Sequence, residues 1–190
     1  MRTQFLTIVL AVATLSPALG RAAAPEGWRL GQTDSSYAIE RDTVVTYAGR
    51  PTGCLMSLRE SKNFATMMQC IDAADFVGKR VRFSAYVKAR SVKNWAGLWM
   101  RVDGPDPSTG SLAFDNMQNR PIKGTMDWKR CDIVLDVAKG AVGICLGALL
   151  GGEGRVWLGG VTFEVVDKTV PTTGDWASKK QAPTNLDFSH

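Results

Sequence analysis

The chain has 190 residues, of which 45% are hydrophobic and 22% charged, and its formal net charge is +5. These values are typical of one globular domain with a substantial buried core. Lysine and arginine are interspersed with aspartate and glutamate, which argues against the continuous basic stripe of a nucleic-acid groove. We therefore expect no nucleic-acid partner.

The first residues are typical of a secretory signal peptide. Arg2 gives a positive start, residues 5–15 are almost continuously apolar, and residues 17–24 supply small side chains for cleavage. An uncleaved membrane anchor would need a longer apolar span. The sequence predicts a signal peptide over residues 1–20, cleaved near residues 20–22, and a periplasmic or secreted product. The best later apolar segment, residues 141–150, is too short to span a bilayer.

The predicted elements begin with an irregular segment over residues 25–53, which holds many turn-forming residues and ends in a turn over residues 47–53. Short strands are predicted over residues 54–58 and 66–71, although a helix over residues 64–76 also fits. Residues 72–78 predict a helical turn. From Lys79 the apolar and polar residues alternate clearly as far as Arg90, which indicates a half-buried antiparallel strand.

Residues 95–103 predict a further strand with two different faces. One row is apolar, and the other carries two indoles, a guanidinium and a carboxylate. Later strands are predicted over residues 112–118, 127–137, 142–150 and 155–166, between turns rich in glycine and proline. This pattern predicts an all-β fold, an antiparallel β-sandwich over residues 25–166. Residues 167–190 predict a partly extended C-terminal tail.

Four cysteines, Cys54, Cys70, Cys131 and Cys145, allow two disulfides with three alternative pairings in an exported chain. Proximity in sequence favours Cys54 with Cys70 and Cys131 with Cys145. Free buried thiols are the alternative, above all for the second pair. Cys131 falls on the apolar row of its predicted strand, whereas Cys145 falls on a row of small residues with Gly143 and Gly147. The spacings contain no CxxC and the sole histidine is the terminal residue, so no metal site is predicted.

The indole-bearing row of residues 95–103 predicts a binding surface shared with neighbouring strands. Flat aromatic rings stack on sugar rings, and nearby polar groups bind their hydroxyls, so we expect a carbohydrate ligand. The candidate ligand-binding residues are Trp95, Trp99, Arg101, Asp103, Asp115, Asn116, Gln118 and Trp128. Each of these residues also has a purely structural interpretation. The indoles can pack under loops, Asp115 and Asn116 can stabilise a turn, and Arg101 and Asp103 can form an ion pair within the scaffold.

No catalytic residue is predicted, because a histidine at the chain end does not suit a Ser-His-Asp or Cys-His arrangement. A glycosidase needs two carboxylates across a cleft, and Asp103, Asp115, Asp127 and Asp132 are the available acids. Pairing of these acids with Arg101 and Arg130 is the simpler interpretation. A structural or protein-interaction role in the cell envelope, through the same aromatic face, is the other alternative.

Several segments resemble a family of bacterial jelly-roll proteins related to carbohydrate-binding modules of the galactose-binding-like class, some of them labelled transcriptional regulators. These segments are residues 78–88, 95–103, 112–118, 121–128, 156–158 and 161–166. The resemblance covers most of residues 26–188 and implies a galactose-binding-like jelly roll. Related modules often carry an acidic pair after a sequence like Val-Trp-Leu, where this chain has Gly159 and Gly160.

A role for those carboxylates, including a contribution to a structural calcium site, is therefore not implied here, and we expect no cofactor. The sequence as a whole predicts an exported, non-catalytic binding domain for carbohydrate or another envelope ligand.

Overall fold

The computed structural model describes residues 22–32 and 35–174, so the predicted signal peptide and residues 175–190 lie outside the described residues. The described chain forms nine strands, which are β1 Arg29–Gln32, β2 Tyr37–Tyr47, β3 Arg50–Ser57, β4 Phe64–Asp72, β5 Arg80–Asp103, β6 Ser111–Asp115, β7 Ile122–Asp136, β8 Gly143–Gly151 and β9 Arg155–Val166. Short 3₁₀ helices occupy Ala74–Phe76 and Pro107–Thr109. Among these residues, no helix has the length and apolarity that a membrane-spanning segment needs.

All strand pairs are antiparallel, in the order β1-β4-β8-β5-β9-β3-β2, and β6 and β7 also pair with β5. The first half of β5 lies between β7 and β9, whereas residues 95–103 pair with β8 and β6. The strands therefore form two layers that share β5. We call β2, β3, β9, β7 and the first half of β5 sheet A, and β1, β4, β8, β6 and the second half of β5 sheet B.

The bend between the two halves of β5 lies near Ser91, a non-glycine residue with a positive φ of 53°. Register shifts against β7 fall between Val87 and Ala96, on both sides of this residue. Bulges of this kind increase local twist and let one strand turn a corner. The two predicted strands at residues 79–90 and 95–103 are therefore one continuous strand that serves both sheets.

Apolar side chains from both sheets fill the space between the layers. The inward rows of β5, β8 and β9 supply most of them, with fully or nearly fully buried side chains at Val81, Phe83, Val87, Leu98, Met100, Val102, Ile144, Leu150, Val156 and Leu158. Complete burial of each such side chain contributes about 1.5–3 kcal/mol of transfer free energy. The predicted antiparallel jelly-roll β-sandwich is confirmed.

Two predicted elements differ from the structure. The segment expected to be irregular contains the hairpin of β2 and β3, whose two-residue turn at Ala48 and Gly49 has positive φ angles of 48° and 74°. The buried residues of β2 cluster at its first end, and Val44 and Val45 stand side by side near the other, which weakens the alternation that marks a strand. The alternative helix over residues 64–76 is wrong, because β4 occupies most of it and only the 3₁₀ turn is helical.

The disulfide pairing favoured by sequence proximity is also wrong. Cys70 and Cys145 form the disulfide, and they lie directly opposite each other on β4 and β8. Cys54 and Cys131 are free and buried. Cys54 belongs to sheet A and Cys70 to sheet B, so their short separation in sequence does not bring them together. Strand register, which sequence spacing does not reveal, determines the pair.

Candidate functional site

The structure separates the eight predicted ligand-binding residues. Trp95, Trp99, Arg101 and Asp103 share the outward row of sheet B, whereas Trp128 lies on the outer side of sheet A. Asp115, Asn116 and Gln118 lie at the end of β6 and in the turn that follows it. The predicted set therefore does not form one surface.

Trp99 is almost entirely enclosed on the outer side of sheet B. Its side chain is only 6% exposed and packs against Cys145 and Leu149, with Met68, Trp95 and Phe114 around them. The indole Nε1 is buried and has no hydrogen-bond partner among the residues that the structure describes. Trp95 is half-buried. The partly exposed aromatic rings on this side of the molecule are those of Trp95 and Phe114, and Trp99 itself offers almost no surface to a ligand.

The polar members of the predicted set are engaged with one another or with their own turn. Arg101 pairs with Asp103 at 2.7 Å. Asp115 is 6% exposed, pairs with Arg120, and accepts hydrogen bonds from the Met117 amide at 2.8 Å and the Thr173 hydroxyl at 2.6 Å. The Asn116 side chain accepts from the Gln118 amide at 3.1 Å. These contacts match the structural interpretation that the sequence left open.

A different surface gathers aromatic rings on the outer side of sheet A, and we call it the aromatic face. Its members are Tyr47, Tyr86, Trp128 and Trp157 together with the charged side chains around them. Tyr86 and Lys88 belong to the outward row of β5, and Trp157 pairs across the strands with Lys88. A bulge in β7 leaves Asp127 and Trp128 together opposite Lys88, which explains why both of these side chains reach this face.

Tyr47 packs against two other rings of the aromatic face. Its ring stacks on Tyr86 with centroids 4.3 Å apart and meets the edge of Trp128 at 5.2 Å. Tyr47 can lie there because Gly159 has no side chain, and a Cβ at that position would overlap Tyr47. Gly160, with a positive φ of 56°, lies beneath the same ring. The two glycines thus make room for the ring of Tyr47.

Trp157 forms the floor of the aromatic face. It is 1% exposed, and its Nε1 donates to the Asp42 carboxylate at 2.8 Å. Burial acts to raise the pKa of Asp42, but hydrogen bonds from Val45, Trp157 and Val44 outweigh this effect and bring the pKa below its ordinary value. An ionised Asp42 therefore fixes the indole of the buried cluster against which Trp128 packs.

Charged side chains surround the three half-buried rings of Tyr47, Tyr86 and Trp128 as ion pairs. The pairs are Arg82 with Glu164 at 2.8 Å, Lys88 with Asp127 at 2.6 Å and Arg130 with Asp132 at 3.1 Å. Lys88 Nζ also lies 5.9 Å from the centre of the Trp128 ring. The arrangement offers flat apolar surface beside ordered hydrogen-bond donors and acceptors, which suits a ligand with an apolar ring and polar substituents.

The four acids considered for glycosidase chemistry are each held by a cation. Asp103, Asp115, Asp127 and Asp132 pair with Arg101, Arg120, Lys88 and Arg130 respectively. A general acid requires a raised pKa. The hydrogen bond from Lys88 instead lowers the pKa of Asp127.

The side chains of Glu40, Asp42 and Cys54 place possible metal-ligand atoms within 4.8 Å of one another. Burial, followed by the charge of Glu40, raises the pKa of Cys54 to about 12. The thiol therefore stays protonated near neutral pH, whereas a metal requires the thiolate. Asp42 already accepts three hydrogen bonds. The chemistry of this group does not suit a metal site.

The sequence did not identify Tyr47 and Tyr86. Tyr86 was recognisable as an aromatic residue on the polar row of the strand over residues 79–90. Tyr47 fell within a predicted turn, and only the strand pairing of β3 with β9 reveals that it reaches Gly159.

No family model matches the chain. An uncharacterised HTH-type transcriptional regulator of Bacillus subtilis, YbfP, is 41% identical over 151 residues, which are 78% of this chain and 50% of that protein. The chain thus spans about half the length of this curated relative.

Two solved structures illustrate the similarity of fold. The enzymatically active domain of bacteriophage CBA120 tailspike protein 4 gives a TM-score of 0.56 at 15% identity, over 74% of this chain and 20% of that one. The CBM22-1 xylan-binding domain of Paenibacillus barcinonensis Xyn10C gives 0.52 at 16% identity, over 77% of this chain and 90% of that domain. The expected resemblance to carbohydrate-binding modules is confirmed at the level of the fold.

Proposed function

We propose that this protein is an exported, non-catalytic carbohydrate-binding domain and that the aromatic face is its binding surface. The observation that carries the proposal is the contact chain of Tyr86, Tyr47 and Trp128, whose rings lie 4.3 and 5.2 Å apart and are all half-buried, so that each keeps part of its surface open to a ligand. Such rings stack on the apolar face of a sugar, and the ion pairs beside them bind hydroxyl groups.

The fold supports this ligand class. A xylan-binding domain has the same architecture over 77% of this chain. In this chain the rings lie on a continuous β-sheet, where backbone pairing on both sides holds β5 and β9 in place. A rigid platform lowers the entropy lost when a sugar binds.

Export is supported by the disulfide between Cys70 and Cys145. Disulfides persist in oxidising compartments and are rare in the cytosol. The N-terminal sequence predicts a signal peptide over residues 1–20, and together these features favour a periplasmic or secreted location. An envelope glycan or another extracellular polysaccharide is then the ligand class that the domain would meet.

The test compares the two sheets. Affinity gel electrophoresis in a panel of polysaccharides, including xylan, should show that at least one polymer retards the protein. Trp128→Ala should weaken this retardation about tenfold or more, since loss of one buried aromatic contact is a typical hot-spot effect. Trp95→Ala is the matched control, because Trp95 is a half-buried indole on the outer side of sheet B.

Three outcomes would contradict the proposal. Unchanged mobility in every polymer would remove the carbohydrate ligand and leave the protein-interaction role as the better explanation. Weaker binding by Trp95→Ala alone would move the site to sheet B. Release of reducing ends from the bound polymer would show that the domain is an enzyme.

A further inference from the structure

Arg90 and Arg155 form a pair of like charges at one end of the aromatic face. They are direct cross-strand partners on β5 and β9, and both side chains are exposed. Arg90 lies on the outward row of β5, and its guanidinium carbon is 5.5 Å from the centre of the Trp157 ring. Like charges directly opposite each other in a sheet destabilise the pair. The fold therefore places two arginines directly opposite each other at a cost.

Some cations of sheet A are paired with acids, whereas Arg41, Arg50, Lys123 and Lys129 form no ion pair among the described residues. Arg90 and Arg155 differ from these four because they lie directly opposite each other. Arg80, Arg82, Lys88 and Arg130 each have a carboxylate oxygen within 3.1 Å. Within residues 22–32 and 35–174, no carboxylate forms an ion pair with Arg90 or Arg155.

The acids nearest to this end of the face do not change that conclusion. Arg155 acts on Asp42 through its charge, but the Asp42 oxygens already accept from Val44, Val45 and Trp157. Glu40 lies beside Cys54 on the neighbouring strands and makes no ion pair with either arginine. Both guanidinium groups therefore keep hydrogen-bond donors available to solvent or to a ligand.

The pair lies within reach of a sugar bound on the exposed rings. Arg90 follows Lys88 by two residues on the same row, and Trp128 lies opposite Lys88. At about 3.3 Å per residue, the arginine pair is roughly 7 Å from the level of Trp128 along the strand. Trp157 lies under both positions and connects them. A substituent of a sugar stacked on Trp128, or of the next sugar in the chain, can reach the guanidinium groups.

We propose that the aromatic face binds an acidic glycan, with a sugar carboxylate held between Arg90 and Arg155. This inference rests on the proposed function and adds the class of ligand. Guanidinium groups match the planar carboxylate geometry and donate paired hydrogen bonds to it. The bound anion also relieves the repulsion between the two arginines. A sulfate ester offers the same charge with a different geometry, and the experiment separates the two.

The experiment measures the affinity of the intact protein for polygalacturonate and for the same polymer after methyl esterification, which removes the charge but keeps the backbone. Dextran sulfate and neutral xylan complete the panel. We expect the wild-type protein to bind polygalacturonate at least about tenfold more tightly than its ester, because hydrogen bonds to charged groups are about twice as strong as neutral ones. The double substitution Arg90→Gln and Arg155→Gln should abolish this preference.

A charge-matched control is the double substitution Lys62→Gln and Lys139→Gln, which removes two exposed cations away from the aromatic face. It should keep the preference, and an equal loss would show that only net charge attracts the polymer. Equal binding of the charged and esterified polymers would overturn the acidic-glycan inference but leave the proposed function intact. If Trp128→Ala changes binding to no polymer, the proposed function itself fails. Tighter binding to dextran sulfate than to polygalacturonate would overturn the carboxylate in favour of a sulfate ester.

Discussion

Asp42 links β2 to β9 by accepting a hydrogen bond from the buried indole of Trp157 at 2.8 Å. Its second carboxylate oxygen accepts from the Val44 and Val45 amides, both at 2.8 Å. Three donors on one carboxylate stabilise its ionised form, which explains the lowered pKa. Asp42 thereby contributes to the position of Trp157 and, through it, to the floor of the aromatic face.

Asp42→Asn should lower the free energy of unfolding at neutral pH by about 1 kcal/mol, because a charge-assisted acceptor becomes a neutral one. The folded-state pKa of Asp42 lies below its unfolded value, so its stabilisation is present above about pH 4 and is lost as the pH falls through the folded-state pKa. Urea unfolding at neutral pH and near pH 3 checks this. The difference between wild type and variant should narrow in acid, and an equal difference at both pH values would refute the explanation.

Residue types alone did not distinguish Trp99 from Trp128, since each stands on an outward row of its strand. Alternation predicts which row a side chain belongs to, but not what covers that row. Trp99 is enclosed by side chains that include Met68 and Leu149. These two residues belong to strands distant from Trp99 in sequence, so its burial could not be predicted. Trp128 is half-buried on the other sheet, where the bulge in β7 places it opposite Lys88 and its ring meets Tyr47. Both effects depend on register, which a single sequence does not reveal.

At the scale of elements, β4 and β8 approach each other unusually closely. A Cβ at Gly147 would overlap the Met67 carbonyl oxygen and would lie 2.9 Å from the Met68 Cα. These are backbone atoms of β4, so they cannot move aside as a flexible side chain can. Gly147 leaves the space that the backbone of the neighbouring strand occupies.

Gly147→Ala should lower the free energy of unfolding by about 3 kcal/mol or more, because overpacking against backbone forces the two strands apart. Gly143→Ala is the matched control on the same strand. A Cβ at Gly143 meets only the Ile71 carbonyl oxygen at 3.8 Å, an ordinary contact, so its effect should stay below about 1 kcal/mol. Thermal and urea unfolding of both variants measure the difference. Similar stabilities would mean that β4 and β8 are not packed as described.

Strand prediction succeeded where both rows of a strand are clear. The strand near residues 127–137, the one near residues 142–150 and the one over residues 155–166 were found because apolar residues recur with period two. The continuity of β5 was missed because its bend near Ser91 interrupts the alternation. β2 was missed because Asp42, Thr43 and the residues beyond them carry little apolar periodicity.

At the scale of the whole molecule, the positions of the four cysteines can be used to test how the two sheets are assembled. The disulfide lies within sheet B, while Cys54 is buried on the outer side of sheet A and Cys131 belongs to the core between the sheets. Burial raises the pKa of both free thiols, that of Cys54 to about 12. Neither thiol is therefore accessible or reactive in the folded protein.

Ellman's reagent should detect no thiol in the native protein near neutral pH and two thiols, Cys54 and Cys131, after unfolding without a reductant. Peptide mapping under the same conditions should recover Cys70 joined to Cys145. Reduction before unfolding is the control and should give all four. Four thiols without reduction, or a peptide joining Cys54 to Cys70, would contradict the assembly described.

The four strands that pair with β5 are β6, β7, β8 and β9, and all of them follow it along the chain. During synthesis from the N-terminus, β5 therefore leaves the ribosome before any of its partners exists. At about 5–20 residues per second, β9 is complete about 3–13 s after β5, so one edge of the first half of β5 stays unpaired for that time. Such a strand is prone to self-association unless charges interrupt it. Arg82, Lys88 and Arg101 supply those charges, so β5 carries its own protection against aggregation until β9 is complete.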